Sequence, residues 1–154
     1  RGLPANLVAV AEIGEGQHVL HHGLKGVHQG ISATTANLLA HATPQSLYSR
    51  SSESHNQDKV SMGMGSAVQC AGCVDRLYRV VASSLLCLAQ ASDLRGIQLK
   101  SRSLTELYSM VRESQPFVTQ DQPLDASIER IASALRDQAR ASIDSDGSGE
   151  GGLL

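Results

Sequence analysis

The sequence predicts an all-α protein, a bundle of long helices. Apolar residues recur at helical three- and four-residue spacing through most of the chain, and no stretch shows the strict alternation of a half-buried strand. Aromatic residues make up only 3% of the chain, with one Phe, three Tyr and no Trp, so core volume must come from Leu, Val, Ile and Ala. Fourteen glycines suit close approach of helix backbones, or assembly into something larger. A length of 154 residues fits one domain of ordinary size. A compact unit of that size buries about two-thirds of its unfolded surface.

Residues 1–18 read as an irregular, Gly-containing lead-in. The first helix is predicted from Val19 to His41, with Leu20, Leu24, Val27, Ile31, Thr34 or Thr35, and Leu38 in register. Gly23, Gly26 and Gly30 each weaken it by up to about 1 kcal/mol relative to Ala, which makes sense where another backbone passes close by. Pro44 in "ATPQ" ends it by disfavouring helix at the residue before. Nine polar residues follow without a break, from Ser51 to Lys59.

The longest helix is predicted from Ser61 to Ser92. Val68, Ala71, Val74, Leu77 or Tyr78, Val81, Leu85 and Leu88 mark one face, and Val80, Ala82, Leu86 and Cys87 make its second half apolar on other faces too. A helix apolar on several faces belongs inside a bundle. Its axis of about 45–48 Å exceeds the roughly 30 Å of a small domain, so it is expected to pack against other polypeptide.

Asp93 to Ser103 reads as a connection. A helix over Ser103–Ser114 follows, with Ser103 and Glu106 as a capping box. "QPFVTQDQPLD" is a Pro-punctuated loop. Asp125 or Ser127 then caps an amphipathic helix reaching about Arg140, with Ile128, Ile131, Ala132 and Leu135 on one face. Residues 1–140 are thus expected as one helical unit, with 141–154 a flexible Gly/Ser/Asp-rich tail.

Thirteen Lys and Arg against fifteen Asp and Glu give a formal charge of −2, without the clustered basic charge that nucleic-acid binding needs. No apolar run reaches the roughly 18 residues of a membrane span. The chain opens on Arg1, without an initiator Met or a signal-peptide layout, as expected of a segment within a longer polypeptide or of a processed product. Three cysteines, an odd number, two of them inside a helical pattern, favour a reducing cytoplasm.

The candidate chemistry is sparse. Cys70-Ala-Gly-Cys73 is a lone CxxC inside a helix, without the second pair a structural zinc site uses, and reads as helix packing. His18, His21, His22 and His28 cluster near the first helix, but solvated or hydrogen-bonded histidines account for them as well as a metal does, and no metal is expected. By pattern alone, Ser51–Lys59 fits a solvated loop. It also fits an active-site shelf: Glu53, Asn56 and Gln57 would converge on one side if a helix began near Ser52, and a helix N-terminus offers unpaired N–H donors.

At these residues the chain resembles the aromatic amino acid ammonia-lyase and aminomutase family, which includes the phenylalanine, tyrosine and histidine ammonia-lyases. "E-S-H-N-Q-D-K-V-S-M-G" (Glu53–Gly63) is similar to the family block E-Q-H-N-Q-D of the plant-type phenylalanine enzymes and N-Q-E-D-H-V-S-M-G of the histidine enzymes. "G-L-P-A-N-L" (Gly2–Leu7) resembles its G-L-P-S-N-L, and "H-G-L-K-G" (His22–Gly26) its Y-G-F-K-G. "C-L-A-Q-A-S-D-L-R-G" (Cys87–Gly96) is similar to A-C-Q-G-L-D-L-R, and "Q-P-F-V-T-Q-D-Q-P-L" (Gln115–Leu124), more loosely, to V-P-F-Y-D-R-D-R-F-L.

The resemblance implies the C-terminal part of the ammonia-lyase fold, with long central helices bundled between the subunits of a homotetramer. It implies non-oxidative elimination of ammonia from an aromatic amino acid, giving an arylacrylate. The family's electrophile is a methylidene-imidazolone formed from an internal Ala-Ser-Gly, and its base is a tyrosine of the N-terminal half. This chain holds no Ala-Ser-Gly, so an N-terminal portion or companion chain is the expected partner. By the same resemblance, Glu53 faces the substrate amine and the prosthetic group. Asn56 and Gln57 hydrogen-bond around the electrophile, and Lys25 lies near the substrate's polar end. Gln57 stands where the histidine enzymes have Glu, which favours phenylalanine or tyrosine over histidine. A 2,3-aminomutase on the same scaffold and a non-catalytic helical subunit are the alternatives.

Overall fold

The computed structural model describes residues 5–7 and 20–147. The rest of the lead-in, with His18, and the tail beyond Gly147 lie outside the described residues. Among the described residues all regular structure is helical: α1 (Lys25–Ala40), α2 (Gly63–Arg95), α3 (Arg102–Ser114) and α4 (Asp125–Gly147), with short 3-10 turns at Ala5–Leu7, Gln45–Tyr48 and Glu53–His55. No helix among them is long and apolar enough to cross a membrane.

α1 starts later than its apolar pattern suggests. Gly23 is left-handed (φ 52°) and Leu24 turns off the helical path, so the first helical residue is Lys25. The predicted stripe of Val27, Ile31, Thr34 and Leu38 is half-buried against α2. Leu20, expected to share it, is 73% exposed. The glycines show a difference. A methyl group built on Gly26 or Gly30 would meet nothing within 4 Å. These two line an open groove of about 360 Å³ with Thr34, Ser83 and Ile128. Among the described residues no backbone fills the space that these glycines leave.

α2 is 33 residues long, about 50 Å of axis, and the other three helices all pack on it. It runs three residues beyond the predicted Ser92. Gly96, at φ 61°, provides the stop: its N–H donates to the Asp93 carbonyl, and the Ile97 N–H donates to that of Ser92. That pair is a Schellman closure, which satisfies two of the last carbonyls of the helix. Burial is confined to the second half, at Ala82, Ser83, Leu86, Ala89 and Gln90, which share one face. The first half stands clear of this chain's core, with Met64, Val68, Val74 and Leu77 exposed.

The predicted capping box is absent from α3. The helix begins one residue earlier, at Arg102, whose Nε donates to Glu106 at 2.7 Å, so that carboxylate is engaged by a side chain one turn back. Ser127 does not cap α4 either. It is buried, and its hydroxyl donates to Gln115 Oε1 at 2.7 Å. α4 continues as helix past Arg140 to Gly147, with residues 141–145 exposed. No proline interrupts it, and Ser142 donates back to the Gln138 carbonyl at 3.0 Å.

The core gathers Leu24, Leu86, Ala89, Val111, Val118, Leu124 and Ile131. Among them sits an amide. Gln90 is fully buried and exchanges two hydrogen bonds with the Val118 backbone, accepting from its N–H at 3.0 Å and donating to its carbonyl at 2.7 Å. It also donates to the Leu7 carbonyl at 3.3 Å. One α2 side chain thereby ties both the N-terminal turn and the loop before α4 to the helix. Gln90→Leu keeps the volume but strands buried backbone groups, at about 1–3 kcal/mol each. The melting temperature of the complete protein is expected to fall well below wild type. An unchanged value would show that this tie is replaceable.

Candidate active site

The polar segment is a loop pinched shut at its base. Ser49 is 4% exposed. Its hydroxyl donates to the Val60 carbonyl and accepts from the Val60 N–H, both at 2.8 Å, so one side chain closes the neck. Inside, the Ser52 N–H donates to the Gln57 carbonyl and the Gln57 N–H to Ser52 Oγ, both at 3.0 Å. The His55 N–H donates to the Ser52 carbonyl and the Asn56 N–H to that of Glu53, both at 3.1 Å. Ser51 Oγ and His55 Nδ1 lie 3.0 Å apart.

The loop's tip is strained. Ser54 (φ 53°) and His55 (φ 55°) are both left-handed, which costs a residue with a Cβ roughly 1–2 kcal/mol. Strain of this kind clusters at sites where the chain must present side chains in a set way. Glu53–His55 forms one 3-10 turn and α2 begins only at Gly63, so Glu53, Asn56 and Gln57 do not share an α-helical face. The loop presents them instead. All three side chains are exposed, and none has a hydrogen bond or ion pair among the described residues. A carboxylate and two amides, held on a backbone that bonds mainly to itself, are free to meet a ligand or another chain.

Lys25 is at the start of α1, also exposed. Among the described residues no hydrogen bond or ion pair joins it to the polar loop. About 24 Å of helix axis separates it along the chain from the turns that lead into that loop. Its surroundings hold a feature that sequence reasoning missed. Four successive N–H groups, 22 to 25, are all engaged. His22 and Gly23 donate to the two carboxylate oxygens of Asp121, at 2.9 and 2.7 Å. Leu24 donates to the Asn6 carbonyl at 2.9 Å, and Lys25 to the His22 carbonyl at 3.0 Å. Blocks far apart in sequence therefore meet here: Asn6, His22–Lys25 and Asp121 directly, and Leu7 and Val118 through Gln90.

The two backbone donors hold the Asp121 carboxyl below its ordinary value, helped by the His21 and His22 imidazoles 3.9 and 3.6 Å away. Because the folded-state value is the lower one, what the clamp adds to stability is complete above the usual carboxylate range. It is lost as pH falls through the lowered folded-state value. Asp121 stood in the sequence as an acid two residues before a proline, inside the loosely matching block Gln115–Leu124, with nothing local to mark it as a clamp. Gln90 was more visible, as a lone amide on an apolar helix face.

The remaining candidates separate. Cys70 is exposed and Cys73 half-buried, so Cys70 does not pack in this chain's core as expected. Burial pushes the Cys87 thiol up. His21 and His22 serve the Asp121 clamp, and the His28 ring is exposed and has no partner among the described residues. Among the described residues no three His, Cys, Asp or Glu side chains are grouped to hold a metal.

Comparison with known proteins supplies the context for this geometry. The family model for aromatic amino acid lyases matches residues 1–113. The tyrosine ammonia-lyase of Cereibacter sphaeroides is 36% identical over 129 residues, covering 78% of this chain and 25% of that enzyme. Among solved structures, the phenylalanine aminomutase of Pantoea agglomerans superposes with a TM-score of 0.76 at 32% identity, covering 87% of this chain and 25% of that one. The histidine ammonia-lyase of Trypanosoma cruzi superposes at 0.74 with 28% identity, over 89% and 26%. The chain thus spans about a quarter of the length of these relatives. The match is to both their sequence and their helical fold, and this chain belongs to the aromatic amino acid lyase family.

Proposed function

We propose that the chain is the C-terminal portion of an ammonia-lyase that removes ammonia from phenylalanine or tyrosine to give an arylacrylate. The observation that carries this is the loop of Glu53, Asn56 and Gln57: a carboxylate and two amides whose side chains have no partner among the described residues, on a strained and pinned turn. In this reading Glu53 holds the substrate ammonium or moves its proton. Asn56 and Gln57 donate to the oxygen that gains charge, as preorganised donors do. Lys25 pairs with the substrate carboxylate. Gln57, a neutral amide, has no charge to offer an imidazolium, which disfavours histidine.

The methylidene-imidazolone supplies the electrophile that activates the amine when bound. This chain lacks the Ala-Ser-Gly from which it forms, so the group has to come from an N-terminal portion or a companion chain. An exposed carboxylate beside two exposed amides fits a place against such a group. The apolar stripe left open along α2, with Met64, Val68 and Leu77, fits packing between the subunits of a homotetramer. Three free cysteines agree with a cytoplasmic enzyme.

The structural likeness to a phenylalanine aminomutase favours a second reading, a 2,3-aminomutase on the same scaffold. One assay separates the two. The complete protein is supplied in turn with phenylalanine, tyrosine and histidine, and products are followed by ultraviolet absorbance and chromatography. Arylacrylate from phenylalanine or tyrosine supports the lyase. A β-amino acid as main product supports the aminomutase. Neither product from any of the three would leave the chain a non-catalytic helical subunit.

A further inference from the structure

We propose that Asp121 is a positioning residue for Lys25: its carboxylate grips the turn before α1 and so sets where the lysine ammonium stands against the substrate carboxylate. This rests on the reading of Lys25 as substrate-facing. Nothing in the side chain of Lys25 fixes it, since it is exposed and without a partner among the described residues. Its position is inherited from the backbone. That backbone is left-handed at Gly23 and carries no side-chain cap on α1. A turn of this kind has many alternatives in a glycine, and it is held from outside. Asp121 lies 98 residues beyond Gly23 and accepts from both successive N–H groups, one on each carboxylate oxygen.

The charge placement fits the role. A carboxylate at the N-terminus of α1 opposes the positive end of the helix dipole. It also consumes the donors at 22 and 23 that a substrate carboxylate would otherwise find there, with Asn6 and His22 consuming those at 24 and 25. With the backbone N–H groups of 22–25 all engaged, an anionic ligand at this turn is left to side-chain donors, of which the Lys25 ammonium carries a permanent charge and the exposed His22 imidazole lies beside Asp121. The far side of Asp121 is anchored too, since Val118 is bound on both its backbone groups by the buried Gln90 of α2. The line of restraint therefore runs from the core helix, through the loop of Asp121, to Lys25.

The test uses the complete enzyme with its preferred aromatic amino acid, and compares wild type, Asp121→Asn, Lys25→Met and the double variant. Asparagine is isosteric, but its NH₂ faces one of the two N–H groups, so one of the paired bonds becomes a donor–donor clash. Asp121→Asn is expected to raise KM about tenfold, with kcat within about threefold. Lys25→Met is expected to raise KM at least as much, and the double variant no further than Lys25→Met alone. Two residues acting through one contact are non-additive in this way. A merely structural role would instead add fully to the lysine variant, so additivity of KM and not the melting temperature separates the two. Gly23→Ala strains the same turn without touching Asp121 and is expected to raise KM likewise, which decides the matter should Asp121→Asn fail to assemble. An unchanged KM in Asp121→Asn, or full additivity, overturns the proposal while leaving Lys25 in the site. A silent Lys25→Met overturns the reading of Lys25 and this inference with it.

Discussion

Glu53→Gln in the complete enzyme is expected to cut turnover by about 10²-fold or more, the scale for loss of one positioned acid–base group. The substitution keeps shape and removes charge. The Glu53 side chain is exposed and has no hydrogen bond or ion pair among the described residues, so no interaction seen there is lost with the charge. The melting temperature is expected to stay within a degree or two, as for surface changes generally. Gln57→Glu tests the same loop from the other side. It restores the acid that histidine-type enzymes carry, and it is expected to lower activity on an uncharged aromatic ring while admitting histidine weakly. Steady-state kinetics with thermal unfolding check both variants. Unchanged turnover in Glu53→Gln would return Ser51–Lys59 to a plain surface loop.

The 154 residues alone are expected to show no lyase activity and not to persist as a folded monomer. The chemical reason is the missing Ala-Ser-Gly. The physical reason is α2. Ala67, Val74, Val81 and Leu88 recur every seven residues, and Val74, Val81 and Leu88 are exposed, as is Leu77 between them. A seven-residue apolar seam is what one helix offers another. Leu77 at 52% and Leu88 at 61% exposure leave that seam facing water in the single chain. Uncovered apolar area of this extent drives association. Light scattering and a phenylalanine or tyrosine assay on the purified segment check both halves of the expectation. A monomer that unfolds cooperatively and is active would contradict it.

The helices were legible because their burial is periodic. Val27, Ile31, Thr34 and Leu38 in α1, and Ile128, Ile131, Ala132 and Leu135 in α4, are at least half-buried at the spacing the sequence shows. Their ends were not legible, because each is set by a partner remote in sequence or by competition between side chains. α1 starts at Lys25 because Asp121 and Asn6 hold the residues before it. Glu106 is drawn to Arg102 rather than to a cap. Gly96, by contrast, stops α2 by its own left-handed geometry and could have been read from "DLRG".

The candidate site divides the same way. Nine consecutive polar residues marked the loop, yet local pattern fitted solvent as well as substrate, and only the likeness to a family block singled out Glu53 and Gln57. The closure by Ser49 and Val60 and the left-handed tip depend on pairing across eleven residues, which no short window reveals. The grip of Asp121 on the turn before α1 was not legible for the same reason, at a separation of 98 residues from Gly23.

The most direct measurement is amide hydrogen exchange of the complete enzyme, with and without a saturating arylacrylate product. Within 51–60 the N–H groups bonded inside the loop, those of Ser52, His55, Asn56, Gln57 and Val60, are expected to exchange more slowly than those of Ser54 and Asp58 in the free enzyme, and the segment is expected to be slowed further when product binds, together with the turn at 22–25. Protection that appears elsewhere in the enzyme while 51–60 exchanges unchanged would contradict the assignment of this loop to the active site.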